Sequence, residues 1–127
     1  FSFGLHPYFI VKDLKKINIE GLTSKCFDHK NMAPGDTGVE LSRLDEGVDF
    51  LCGPSRIVTL FDLFDERTLQ VQLQEPMDLP VLWTDPPRKM ICIEPWTSQR
   101  NALISGERLQ LIEPGSKKEL KCTFVSF

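Results

Sequence analysis

No apolar run in this chain approaches the length a helix needs to cross a bilayer, so a transmembrane helix is excluded. Charge of one sign is also scarce. Fifteen basic against eighteen acidic side chains leave a formal charge of -3. That balance offers no basic face of the kind nucleic-acid phosphates select. There is no internal repeat, no low-complexity tract and no linker-like shift in composition. Histidine is nearly absent, with only His6 and His29, and the four cysteines form no C-x-x-C pair. A zinc site built on cysteine spacing is therefore disfavoured. Cys26 and Cys52 are far from Cys92 and Cys122, and the latter two lie in apolar, strand-like runs. Four buried, reduced thiols in a reducing compartment are the expected state. No secretory n-region or h-region precedes Cys26, which adds to the expectation of a cytoplasmic protein.

What is present reads as one ordinary globular unit. The 127 residues are 41% hydrophobic and 26% charged, enough apolar surface to order the chain and too much for intrinsic disorder. Period-two alternation recurs, and helical periodicity is almost missing. Leu69-Gln70-Val71-Gln72-Leu73-Gln74 faces three apolar residues one way and three glutamines the other, as a half-buried antiparallel strand does. Similar stretches run over 16–22, 48–52, 56–64, 79–83, 90–94, 109–112 and 120–127. Turn signals separate them: Pro34-Gly35-Asp36, Gly53-Pro54-Ser55, Asp85-Pro86-Pro87 and Glu113-Pro114-Gly115. Many short strands at this spacing predict an all-β sandwich or barrel. One helical turn is expected over 98–104. Phe1-Ser2-Phe3-Gly4-Leu5 reads as the middle of a buried strand, not as a frayed terminus.

Three places carry candidate chemistry. His6, in Gly4-Leu5-His6-Pro7-Tyr8-Phe9, is held extended by the following proline and walled by aromatics. It is either an acid/base group titrating near neutrality or a hydrogen-bonded histidine at a sheet margin. His29, between Asp28 and Lys30, reads as an ordinary solvated residue. Glu94 ends the apolar strand Met90-Ile91-Cys92-Ile93, with Met90, Cys92 and Glu94 on one face. A carboxylate there needs either a cation, Arg88 or Arg100, or a chemical role. Pro95 is expected to stop the ladder, and Trp96 to offer a flat face of the kind that covers a pyranose. Asp49 interrupts another apolar strand. It either accepts ligand hydroxyls or lies on a solvated edge. Asp62, Asp65 and Glu66 form a polar turn whose spacing does not match a calcium loop.

Taken together, the His6-x-Tyr8-Phe9 segment, the strand around Asp49, Leu82-Trp83-Thr84, Ile93-Glu94-Pro95-Trp96 and a closing Leu111-x-x-Pro114-Gly115 resemble the C-terminal half of the aldose 1-epimerase (galactose mutarotase-like) family. The Trp83–Arg88 stretch looks closer to its glucose-6-phosphate 1-epimerase-like branch. The resemblance implies a galactose-mutarotase-like β-sandwich with a sugar cleft across one sheet. It implies His6 as general acid toward the ring oxygen and Glu94 as general base toward the anomeric hydroxyl. One donor and one acceptor flanking the hemiacetal avoid building charge on either oxygen. Asp49, Trp96, Tyr8 and Arg100 become candidate contacts to a sugar or sugar phosphate, with no metal or organic cofactor required. Family members are about twice as long, and their other half supplies a second histidine and an arginine. Residues 1–127 are accordingly expected to be the C-terminal part of such a domain and not an autonomous catalyst. Phe1 and Phe3 should be exposed, and His6 and Glu94 should share one concavity. Two other readings remain open at this point: a non-catalytic sugar-binding protein on the same fold, and a β module that packs against another domain.

Overall fold

The computed structural model describes residues 1–127 and is built from two antiparallel sheets. In chain order the strands are β1 Tyr8–Ile10, β2 Ile17–Glu20, β3 Lys25–Asp28, β4 Ala33–Asp36 and β5 Asp49–Cys52, then β6 Ile57–Asp62, β7 Arg67–Leu73, β8 Leu79–Trp83, β9 Met90–Trp96 and β10 Cys122–Ser126. Two short helices, α1 Thr37–Leu41 and α2 Ala102–Ser105, and a 3-10 turn at Leu14–Lys16 complete it. One sheet has the order β1-β9-β8-β5-β3-β4 and the other β10-β7-β6-β2. No helix is long and apolar enough to cross a membrane.

Alternation decides what lies between the sheets. Val58, Leu60, Val71 and Leu73 point inward from one sheet; Phe50, Cys52, Leu82, Ile91 and Ile93 point inward from the other. Because side chains alternate, the residues between these on β5, β8 and β9 all emerge on the opposite face of the six-stranded sheet. Register then aligns them: Asp49 is opposite Trp83, Trp83 opposite Cys92, and Val81 opposite Glu94. That outer face carries the candidate site.

Several elements depart from the sequence reading. Pro95 does not stop β9. It pairs with Pro80 of β8, while its carbonyl accepts from the Leu5 N–H on the other side. Facing away from β8, it removes no β8–β9 ladder bond. The Pro34-Gly35-Asp36 turn signal is instead strand β4, tolerated because β4 is an edge. Residues 109–112 form no strand: Leu111 and Ile112 are exposed, the Leu109 N–H turns back to the Gly106 carbonyl, and Gln110 exchanges backbone hydrogen bonds with Phe1. Phe1–Leu5 is not a buried strand. It runs beside the end of β9 through a Gly4–Trp96 bridge, with Phe1 and Phe3 exposed. All four cysteines are free, but only three are buried; Cys122, on edge strand β10, is half-buried.

Candidate active site

Glu94 is the centre of the outer face. It is only 3% exposed, near the C-terminal end of β9. Neither Arg88 nor Arg100 reaches it: Arg88 faces Asp85 at 3.6 Å and Arg100 faces Asp49 at 3.0 Å. Its partners are the Trp96 indole, which donates from Nε1 to Oε2 at 2.9 Å, and His6, whose Nδ1 lies 3.5 Å from Oε1. Burial pushes the Glu94 carboxyl above the ordinary glutamate value, against the opposing pull of the Trp96 N–H and of His6. A buried carboxylate held this way is a stronger base than a solvated one.

His6 reaches Glu94 because Tyr8 of β1 pairs with Cys92, which brings the preceding residues along the same edge of β9. Its imidazole stands edge-on to Trp83, centroids 5.5 Å apart, and Nδ1 is also 3.6 Å from Cys92 Sγ. The side chain is 63% exposed, so one face of the ring is open to a ligand. His6, Glu94, Trp96, Phe3 and Gly4 line a shared concavity of about 260 Å³. Gly4 has to be a glycine here, since a Cβ would come within 2.7 Å of the Trp96 ring.

A second pair adjoins the first. His29 is buried, and its Nδ1 bonds to Asp49 Oδ1 at 2.8 Å while its backbone N–H donates to the Asp49 carbonyl. The ring stacks on Trp96 at 5.8 Å between centroids. Asp49 Oδ2 accepts from Arg100 at 3.0 Å. Asp49 is thus neither solvated nor free; each oxygen keeps one further lone-pair direction for a ligand. His29, Arg100, Phe27, Leu51, Leu79 and Arg108 line a cleft of about 660 Å³ beside the concavity. The indole of Trp96 joins the two pairs, contacting Glu94 through its N–H and His29 through its face.

His29 is the residue that the sequence reading placed in solvent. Its polar neighbours Asp28, Lys30 and Asn31 hide it, although the period-two spacing of Phe27 and His29 puts both on the face that lines the cleft. Tyr8 is the opposite case. It is 65% exposed and lines a separate groove with Ile10 and Arg67, not the His6–Glu94 concavity. Of the six residues singled out, His6, Glu94, Trp96, Asp49 and Arg100 form one connected set, and Tyr8 stands outside it.

No protein-family model matches the chain, and no curated protein matches it. Among solved structures, the Slr1438 protein from Synechocystis sp. PCC 6803 is similar at 27% identity and a TM-score of 0.91, over 99% of this chain and 44% of that one. The structure of HI1317 is similar at 18% identity and a TM-score of 0.67, over 98% of this chain and 45% of that one. The chain therefore spans less than half the length of either. Both likenesses are to its all-β, two-sheet fold.

Proposed function

We propose that this chain supplies the acid/base pair of a sugar 1-epimerase of the aldose 1-epimerase (galactose mutarotase-like) kind, on the corresponding sandwich fold. Its substrate is a hexose or hexose 6-phosphate. The observation that carries the reading is the approach of His6 Nδ1 to Glu94 Oε1, 3.5 Å, in a concavity walled by an indole. The ring oxygen and the anomeric hydroxyl of a hemiacetal share one carbon. An acid and a base serving them must therefore be close neighbours, as His6 and Glu94 are.

On this reading Glu94 takes the proton of the anomeric hydroxyl as the C1–ring-oxygen bond breaks, and the His6 imidazole protonates the departing ring oxygen. The free aldehyde turns about C1–C2, and the reverse transfers close the ring with the hydroxyl on the other face. Two protons move and nothing is oxidised or reduced, so the reaction asks for no cofactor. Trp96 covers the apolar face of the sugar. Asp49 and Arg100, oriented by His29, meet hydroxyls or a phosphate in the adjoining cleft. The second histidine and the arginine of the family's site come from outside residues 1–127, so the assay uses the full-length protein.

Anomer interconversion of freshly dissolved α-glucose, α-galactose and glucose 6-phosphate, followed by polarimetry or NMR, tests the proposal. Glu94→Gln keeps size and hydrogen bonding but removes the proton acceptor, and should cut turnover about a hundredfold or more. Turnover within about twofold of the parent, with the fold intact, overturns the assignment. Sugar binding with no turnover by the parent protein favours the non-catalytic reading instead.

A further inference from the structure

Cys92 and Glu94 alternate onto the same face of β9, and the β1–β9 pairing brings His6 over them. The donor atoms of the three, His6 Nδ1, Cys92 Sγ and a Glu94 oxygen, all lie within 4.8 Å of one another. We propose that His6, Cys92 and Glu94 form a three-ligand site for a zinc-class divalent cation.

Two of the three donor separations, both from His6, match those around such an ion. With Zn–N about 2.0 Å and Zn–S about 2.3 Å, tetrahedral ligands stand about 3.3–3.6 Å apart. His6 Nδ1 is 3.5 Å from Glu94 Oε1 and 3.6 Å from Cys92 Sγ. One thiolate, one imidazole and one carboxylate suit zinc or cobalt and disfavour magnesium or calcium, which prefer oxygen donors alone.

The surroundings are already arranged around the donors. Trp96 Nε1 occupies Glu94 Oε2 and leaves Oε1, the oxygen nearer His6, free to bind. Trp83 holds the imidazole edge-on from the other side. No lysine or arginine neutralises this buried carboxylate, and a dication would. Binding exchanges the Cys92 S–H bond for an S–metal bond and releases the thiol proton to solvent. The exposed side of His6 is the way in, and it leaves a fourth coordination position facing out, the arrangement of an open metal site. An ion held there would occupy both the acid and the base of the proposed epimerisation and shut it off. That consequence rests on the epimerase reading; the binding does not.

The test uses the full-length protein stripped with a chelator and titrated with zinc by calorimetry, then with cobalt by absorption. One equivalent should bind, with a thiolate-to-cobalt charge-transfer band in the near ultraviolet. Cys92→Ser should abolish that band. His6→Asn, at an exposed side chain the fold tolerates, should weaken zinc binding at least about tenfold. Cys122→Ser, on the other sheet, should change neither. Absence of saturable binding overturns the proposal, as does binding that survives both Cys92→Ser and His6→Asn. Because the readouts are calorimetry and a cobalt spectrum, they stand apart from turnover. An active epimerase that binds no zinc defeats this site and leaves the proposed function untouched.

Discussion

At Trp96, one side chain serves two pairs, with its N–H on Glu94 and its ring face on His29. Gly4 is what lets the indole lie there. Gly4→Ala places a methyl group 2.7 Å from Trp96 Cδ1, and the ring is not a free end that swings away at little cost. The variant should be destabilised by about 1–3 kcal/mol, the usual scale of overpacking. It should also show altered indole fluorescence, and its turnover should fall more than that of a Gly35→Ala control, where the nearest atom is 3.4 Å away. Equal effects at the two glycines would mean that Trp96 does not need its present position. His6 makes a separate prediction. His6→Asn should lower turnover more than sugar affinity, because its contact strengthens as charge develops on the ring oxygen. A loss confined to affinity would make His6 a binding residue.

At the scale of elements, the hairpin between β6 and β7 depends on Asp62. Its Oδ1 accepts the backbone N–H groups of Phe64 and Asp65, and its Oδ2 accepts from Arg67. Burial alone would raise its carboxyl. The Asp65 N–H, Arg67 and the Phe64 N–H together outweigh burial and hold it below the ordinary 3.8. A depressed folded value means that this stabilisation is present above pH 3.8 and is lost as pH falls through the folded value. Asp62→Asn should cost about 1.5–3 kcal/mol at neutral pH, the range for hydrogen bonds to a charged group. In denaturant titrations the gap between parent and variant should close on acidification below 3.8. A gap that does not change with pH would rule out the charge as its source. The strand that bears Asp49 has its own anchor. Thr84 Oγ1 donates to the Leu44 carbonyl and accepts from the Val48 N–H, both buried. Thr84→Val keeps the shape and orphans both groups, so a loss of about 2–4 kcal/mol in unfolding free energy is expected.

Across the whole molecule, burial decides which thiols are available. Burial pushes Cys52 up to about 11 and Cys92 up to about 12, and also raises Cys26 and Cys122. At mildly alkaline pH a bulky aromatic disulfide reagent should titrate Cys122 promptly and the other three only as the protein unfolds. Prompt reaction of Cys26 or Cys52 in the native state would contradict the packing of the two sheets.

Much of this molecule is local information. Alternation at Leu69–Gln74 needs no distant partner to be read, because a strand's side chains point to opposite faces whatever lies beside it. The same rule placed Cys92 and Glu94 on one face, and the buried carboxylate beside a tryptophan marked the site. Pairing is not local. Pro34 and Pro95 are turn signals by their own chemistry, and only an edge position for one and a proline opposite the other make them strand residues. His29 looks solvated among its neighbours and is buried because a distant indole stacks on it. Residues 109–112 alternate like a strand, yet no partner strand stands beside them. The sequence by itself determined the all-β character and the chemistry of the candidate groups, because both follow from side-chain type and spacing. The tertiary structure alone decided that His6 stands over Cys92 as well as Glu94 and that His29 joins Asp49, because strand register sets which residues face one another across neighbouring strands.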